Sequence, residues 1–338
     1  MSFTVRERKM DSMNPDRTPL VSVIMPAYNT AHLITASLNS VFAQDYQNLE
    51  IMVVNDGSPD TRELEAVLSR YQDRIVYIRQ ENKRAAGARN TAIQRAQGDL
   101  LAFLDSDDVW FADHLSSQLK LFAEYPQLDL VYSNCFVSTD SDTTFMELSP
   151  STCEARFESL VEERCQIPIS TVVARKQAVE KAGLFDESLA RCDDYDMWLR
   201  VAFHGGKIGY TRKVQARLNQ GRADSLGIAK VKMLEADWEI LQKIDRDLPL
   251  SHIERRCVRQ RLGEVRGHCL LEEGKVQLDE GNFRKAKDLF AEANVHLQRS
   301  RLSLIRFSLA LAPNLTRKLI NFVRWCRQQG RSPATAQG

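Results

Sequence analysis

Four short apolar runs alternate with helical patterns near the start of the chain, and this alternation constrains the fold more than any other feature. The runs lie at residues 20–25, 51–54, 75–78 and 100–104. Each is short and bounded by turn residues, as buried strands of a parallel sheet are. The order β-α-β-α-β-α-β predicts an α/β fold with a mostly parallel sheet and helices on both faces.

Polar loops follow three of the predicted strands, at residues 26–30, 55–60 and 105–108. Carboxyl ends of parallel strands meet at one edge of a sheet, which is where open α/β sheets bind ligands. We therefore expect these three loops to form one binding site.

The loop after the fourth strand is the most acidic, with Asp105, Asp107 and Asp108 within four residues. Asp105 and Asp107 leave an extended backbone on the same side, because strand side chains have a period of two. Two such carboxylates repel unless a cation lies between them, and hard oxygen ligands suit Mg²⁺ or Mn²⁺ carrying a phosphate. Taken alone, the same residues also fit a turn that caps the next helix.

The chain of 338 residues is long enough for two domains. We predict a disordered leader at 1–18, an α/β domain at 19–226 and a helical region at 227–338. Within the helical region, residues 262–298 resemble one tetratricopeptide-type hairpin. A single such unit cannot bury its apolar face alone, so it is expected to pack on its neighbours.

The last predicted helices, at about 300–328, combine large apolar residues with Arg and Lys, and no Asp or Glu follows Glu292. A basic amphipathic helix of this kind can lie on an anionic membrane surface. The alternative is a helix packed on the α/β domain with a basic outer face.

Composition restricts location and partners. The formal net charge of +1 gives no indication of a nucleic-acid partner. Seven scattered cysteines without C-x-x-C spacing indicate free thiols in a reducing compartment. No apolar run approaches the roughly 20 residues that span a bilayer. We expect a cytoplasmic protein that associates peripherally with the inner face of the cell membrane.

Four sequence blocks, at 21–29, 53–60, 87–90 and 103–108, resemble the family 2 glycosyltransferases in order and spacing over about residues 20–225. The resemblance implies a bacterial-type, inverting enzyme with the Rossmann-like GT-A fold. It implies transfer of a sugar from a nucleotide-diphosphate donor, UDP-linked, with Mn²⁺ or Mg²⁺. The acceptor would be a hydroxyl of a glycan or lipid-linked molecule in cell-surface polysaccharide synthesis.

The resemblance also implies roles for single residues on the donor side. Asp56 would bind the donor base, Asp105 the ribose or a metal-bound water, and Asp107 the metal. Arg89 would face the donor phosphates. The remaining donor-binding residues would be Pro26, Ala27, Tyr28, Asn29 and Ser106.

The acceptor side is expected around residues 192–200, which resemble the family's E-D-x-D-x-W block with Asp193 in place of Glu. By position Asp194 is the candidate base, and Asp193 and Trp198 lie on the acceptor side. The alternatives are that the aspartates only stabilise the positively charged N-terminal end of a helix, and that Trp198 belongs to the core.

One segment departs from the family pattern. Many relatives carry Arg-x-His after this helix, whereas Asn219 stands where the His would be. This leaves Arg217 or Arg222 as phosphate contacts. Two other functions stay open. One is an interaction protein on a catalytically weak GT-A scaffold; the other is a nucleotidyltransferase, which would need a Gly-rich phosphate loop that residues 26–29 do not provide.

Overall fold

The computed structural model describes residues 18–139, 142–149, 155–219, 226–315 and 317–318. The chain divides into two compact units, and the boundary lies between Ala223 and Asp224. Apart from Thr18, the predicted leader lies outside the described residues.

The first half of the sheet has the predicted alternation of strands and helices. Its strands lie in the order β3-β2-β1-β4 and are parallel to one another. They are β1 (Val21–Ala27), β2 (Leu49–Asp56), β3 (Val76–Gln80) and β4 (Leu100–Phe103). The connecting helices are α1 (Ile34–Phe42), α2 (Thr61–Leu68) and α3 (Arg84–Arg95). Parallel strands need such crossovers, so the predicted α/β architecture is confirmed.

The second half of the sheet is mixed. It contains β5 (Val109–Trp110), β6 (Leu130–Ser138), β7 (Thr143–Met146), β8 (Val172–Arg175) and β9 (Ile208–Asn219). The order continues from β4 as β8-β6-β9-β5, with β7 on β6. Strands β8, β7 and β5 run against the others, so six of the nine strands in the described residues share one direction. Helices α4 (His114–Glu124), α5 (Phe157–Val161), α6 (Lys176–Lys181) and α7 (Asp193–Phe203) complete this unit.

The pattern of residues 109–125 predicts a helix, but α4 begins only at His114, because Val109 and Trp110 form β5 against β9. A two-residue strand has no periodicity that a sequence pattern can reveal. Residues 207–216 predict one or two edge strands. They lie in β9, which pairs with β6 from Ile208 onward and with β5 only at Ala216 and Arg217.

An aromatic cluster lies between the sheet and α7. The Trp198 ring meets those of Phe103 and Phe185 edge to face, with centroids 5.9 and 6.1 Å apart. All three side chains are buried, and each contributes roughly 1.5–3 kcal/mol by leaving water. The cluster fixes α7 against β4, whose carboxyl end leads into the acidic loop.

The second unit is helical: α8 (Leu226–Asp247), α9 (His252–Glu280), α10 (Phe283–Leu297) and α11 (Ser300–Leu311). Helices α9 and α10 pack against each other as a hairpin, and the tetratricopeptide type of this hairpin stays a prediction. Gly281 ends α9 with φ +86°, and a Cβ on Gly274 would lie 2.5 Å from the Phe290 ring, so these glycines permit the turn and the close packing. Within the described residues, no helix combines the length and hydropathy needed to cross a bilayer.

Candidate active site

The three polar loops meet at the carboxyl edge of the sheet and are hydrogen-bonded to one another. The Asn29 amide donates to Ser58 Oγ over 2.7 Å, and the Ala31 amide donates to Asp60 Oδ2 over 2.8 Å. The hydroxyls of Thr30 and Ser106 lie 2.8 Å apart. The loop after β1 therefore links the other two, and the expected convergence is present in the fold.

Asp56, the last residue of β2, is buried at one end of this edge. Its Oδ1 accepts hydrogen bonds from Gln80 Nε2 over 2.6 Å and from the Lys83 amide over 2.8 Å. Gly57 follows with φ +63°, and a Cβ there would lie 2.7 Å from the Asn82 nitrogen. The Asp56 carboxylate is thus held in one orientation, as a residue that contacts a ligand base must be.

The residues after β1 expose one aromatic ring beside this loop. Pro26 and Ala27 belong to β1, whereas Tyr28 is exposed and Asn29 adopts a left-handed φ of +56°. A non-glycine residue in this region of φ/ψ space marks a local constraint, often at a binding site.

The acidic loop is held by hydrogen bonds to the segment before β8 and to the end of β9. The Asp105 amide donates to Ser170 Oγ over 3.0 Å, and the Asp108 amide donates to the Asp105 carbonyl over 3.0 Å. Asp108 is buried, and its Oδ1 accepts from the Asn219 amide over 2.7 Å. Since β9 runs parallel to β4 and β6, its carboxyl end reaches the same edge as this loop.

The electrostatics of the loop favour a cation. Burial, and then the nearby negative charge of Asp105, raise the pKa of Asp107. Burial, and then Asp105, also raise the pKa of Asp108. A divalent ion would relieve both effects, and carboxylate oxygens are the ligands that Mg²⁺ and Mn²⁺ prefer. Within the described ranges, no three His, Cys, Asp or Glu side chains form a cation site by themselves.

Arg89 joins a carboxylate of the acidic loop to a carboxylate of α7. Its Nη2 lies 2.6 Å from Asp105 Oδ1, and its Nη1 lies 2.6 Å from Asp193 Oδ2. The Arg89 side chain is 5% exposed, so the guanidinium faces these two acids. The structure places Arg89 as a bridge between β4's loop and α7. Its predicted contact with donor phosphates stays a prediction.

Asp194 lies in the first turn of α7, beside this bridge. Burial and the charge of Asp193 raise its pKa to about 6, an effect that Arg89 partly opposes. Its Oδ1 accepts from the Tyr195 amide over 2.9 Å. A carboxylate with a pKa near 6 is mostly ionised at neutral pH yet basic enough to accept a proton.

Two other residues of the 192–200 block are structural. Asp196 is fully buried and pairs with Arg200, whose Nε and Nη2 lie 2.9 and 2.6 Å from Asp196 Oδ2. Trp198 was predicted on the acceptor side, but its side chain is buried in the aromatic cluster and its indole donates to the Ile167 carbonyl over 3.0 Å. Its packing against Phe103 and Phe185 supports α7, and its buried ring is not accessible to an acceptor.

The end of β9 brings one predicted phosphate contact near the site. Arg217 is exposed and pairs in register with Val109, just after the acidic loop. Arg222 lies outside the described residues. Asn219 contributes its backbone amide to Asp108, which is a positioning contact.

Sequence reasoning did not identify Ser170 or the role of Asn90. Asn90 Nδ2 donates to the Phe185 carbonyl over 2.8 Å, and the Phe185 amide donates to Asn90 Oδ1 over 2.9 Å. Together with Arg89, this pair fastens α3 to the segment that leads into α7. The sequence signal for Asn90 lies in the block at 87–90, where two polar side chains follow two small residues.

Comparison with known proteins agrees with this geometry. The profile of Glycosyl transferase family 2 matches residues 22–183. The chain is 32% identical over 227 residues to an Escherichia coli protein named UDP-Glc:alpha-D-GlcNAc-diphosphoundecaprenol beta-1,3-glucosyltransferase WfgD, covering 66% of this chain and 85% of that one. The protein therefore belongs to the family 2 glycosyltransferases.

Two solved structures share the fold. TarS 1–349 of S. aureus in complex with UDP-GlcNAc gives a TM-score of 0.58 at 18% identity, covering 93% of both chains. The mannosyltransferase PcManGT of Pyrobaculum calidifontis, in complex with GDP-Man and Mn²⁺, gives 0.58 at 16% identity, covering 94% of this chain and 91% of that one. The first unit thus has the predicted GT-A architecture, and the chain continues into a helical C-terminal region.

Proposed function

We propose that this protein is an inverting glycosyltransferase that moves a sugar from a UDP-linked donor to a hydroxyl of a lipid-linked acceptor. The observation that carries the proposal is the position and basicity of Asp194. It lies beside a carboxylate-Arg89-carboxylate bridge that leads to the donor loops, and its pKa is about 6.

The donor would lie along the carboxyl edge of the sheet. Both hydrogen bonds that Asp56 accepts from described residues go to its Oδ1 atom. Its Oδ2 atom would therefore accept a hydrogen bond from the donor base. Tyr28, exposed beside it, offers an aromatic face to a base. UDP as the nucleotide is supported by the relative named for UDP-Glc and by the TarS complex with UDP-GlcNAc.

Asp107 would hold a divalent cation together with the donor diphosphate, and Asp105 would contact the ribose or a metal-bound water. When bound, such an ion stabilises the negative charge that develops on the departing nucleoside diphosphate. Support comes from the raised pKa of Asp107 and from the Mn²⁺ in the mannosyltransferase structure. Arg217, exposed close to this loop, would add a positive charge for the phosphates.

Asp194 would accept the proton of the acceptor hydroxyl as its oxygen attacks the anomeric carbon. The attack comes from the face opposite the leaving diphosphate, so the configuration inverts. General-base help of this kind contributes about 10²–10⁴-fold. The diphosphate leaves without protonation by a second acid, which is why one basic carboxylate is enough.

The acceptor and the location complete the proposal. The Escherichia coli relative is named for a diphosphoundecaprenol-linked acceptor. An acceptor of that class is held in a membrane, so the protein would act in the cytoplasm at the membrane surface, with residues 300–328 meeting anionic lipid. The reaction would then belong to the assembly of a cell-surface polysaccharide.

A donor panel tests the proposal. The full chain is incubated with Mn²⁺, a short-chain lipid-diphosphate sugar as acceptor, and UDP-, GDP- or dTDP-linked sugars in turn, and nucleotide release is measured. We expect acceptor-dependent release of UDP and a product inverted at the anomeric carbon. Release from no donor would refute the enzyme assignment, and a product of retained configuration would refute the proposed mechanism.

A further inference from the structure

Helix α11 has one buried and one exposed apolar face. Leu302 and Leu309 are buried in the apolar cluster of the second unit. On the other face Leu304, Phe307 and Leu311 are each 67–70% exposed. The spacing of three and four residues keeps Leu304, Phe307 and Leu311 in one line on α11, which ends at Leu311 before the non-helical Ala312. We name these three residues the exposed apolar row.

The charge of the sequence that carries the exposed apolar row has one sign. No acidic residue follows Glu292, whereas the sequence beyond it carries eight cationic residues. They are Arg299, Arg301, Arg306, Arg317, Lys318, Arg324, Arg327 and Arg331. Three large apolar side chains in a line on an exposed helix face, together with this charge, match the composition of helices that lie in a membrane interface.

We propose that the exposed apolar row is a membrane-docking face, and that it inserts into the interface of an anionic bilayer. The inference deepens the proposed function, because it rests on an acceptor held in a membrane. A second copy of the chain is a poorer occupant, since pairing two such faces would bring like charges together. An anionic lipid surface instead supplies the opposite charge, and it attracts each nearby Lys or Arg.

Vesicle co-sedimentation of the full chain, without donor or acceptor, tests this inference. Wild type is mixed with vesicles of phosphatidylcholine alone, or of phosphatidylcholine and phosphatidylglycerol in equal parts. The variant Leu304→Ser/Phe307→Ser/Leu311→Ser removes all three members of the row. Ile253→Ser is the matched control, because Ile253 is 66% exposed near the start of α9 and lies outside the row.

We expect wild type and Ile253→Ser to bind the anionic vesicles and to bind phosphatidylcholine much more weakly. The triple variant should bind the anionic vesicles at least about tenfold more weakly. Equal binding by the triple variant and wild type would overturn the inference. So would a wild type that binds no vesicle but forms dimers that the triple variant loses. Because no donor is present, these results are independent of the donor panel.

Discussion

Replacing Arg89 with Met tests the bridge between the two halves of the active site. The change keeps an unbranched apolar stem but removes the cation between Asp105 and Asp193, residues that lie on β4's loop and on α7. Burying a carboxylate without its partner is costly, so both acids and the neighbouring Asp194 lose a source of stabilisation.

The expected cost follows from the exposure of the partners. Removing one member of a buried ion pair costs about 3–5 kcal/mol. The side chains of Asp105 and Asp193 are 33% and 14% exposed, so water replaces part of the lost interaction. We therefore expect the lower end, about 3 kcal/mol, which corresponds to a fall of roughly 6–12 °C in the melting temperature of a unit this size.

Thermal unfolding followed by circular dichroism measures this effect. Arg79→Met is the matched control, because Arg79 lies 3.6 Å from Glu65 and both side chains are well exposed. A surface pair of this kind contributes about 0–1 kcal/mol, so the control should melt close to wild type. The reasoning is refuted if Arg89→Met melts at the temperature of Arg79→Met.

Three further predictions concern the same site. In Asp194→Asn the buried charge disappears. Folding raises the pKa of Asp194 from 3.8 to about 6, so its ionisation destabilises the wild type as the pH rises through this range. The variant should therefore be more stable than wild type by up to about 3 kcal/mol at pH 8, but not near pH 4. Equal melting curves at pH 8 would contradict the burial of this charge. Asp107→Asn should weaken Mn²⁺-dependent UDP-sugar binding in calorimetry by more than about tenfold, and a chelator should reproduce the loss in wild type; unchanged binding would exclude Asp107 as the metal ligand. Gly57→Ala should lower the free energy of unfolding, measured with denaturant, by about 1–3 kcal/mol, because the added Cβ would lie 2.7 Å from the Asn82 nitrogen at a φ of +63°. The control Gly205→Ala, which has a φ of +84° but open space around the Cβ, should lower it less. An equal loss in both variants would show that the contact with Asn82 is unimportant.

Local sequence pattern was sufficient to predict the first four strands and the loops that follow them. Strands β1 to β4 are short apolar runs separated by helical stripes, so their order, direction and carboxyl-end loops follow from periodicity and from the handedness of crossovers. The positions of Asp56, Asp105 and Asp107 at one edge of the sheet follow from the same reasoning.

Contacts between distant parts of the chain could not be predicted in this way. Arg89 and Asp193 are far apart in sequence, and nothing local indicates that they form an ion pair. Ser170 is one of many serines until β8 pairs with β4 and brings it to the Asp105 amide. Trp198 has the same helical spacing whether it contacts an acceptor or the core, and only the packing against Phe103 and Phe185 decides between them.

The central claim is that Asp194 is the base, and sugar transfer by Asp194→Asn tests it most directly. Transfer in a single turnover and binding of the UDP-sugar are measured on the same preparation. Asn preserves the size of the side chain but cannot accept the acceptor's proton. We predict that donor binding stays at the wild-type level while transfer falls by about 10²–10⁴-fold. Transfer at the wild-type rate would contradict the assignment of Asp194 as the base.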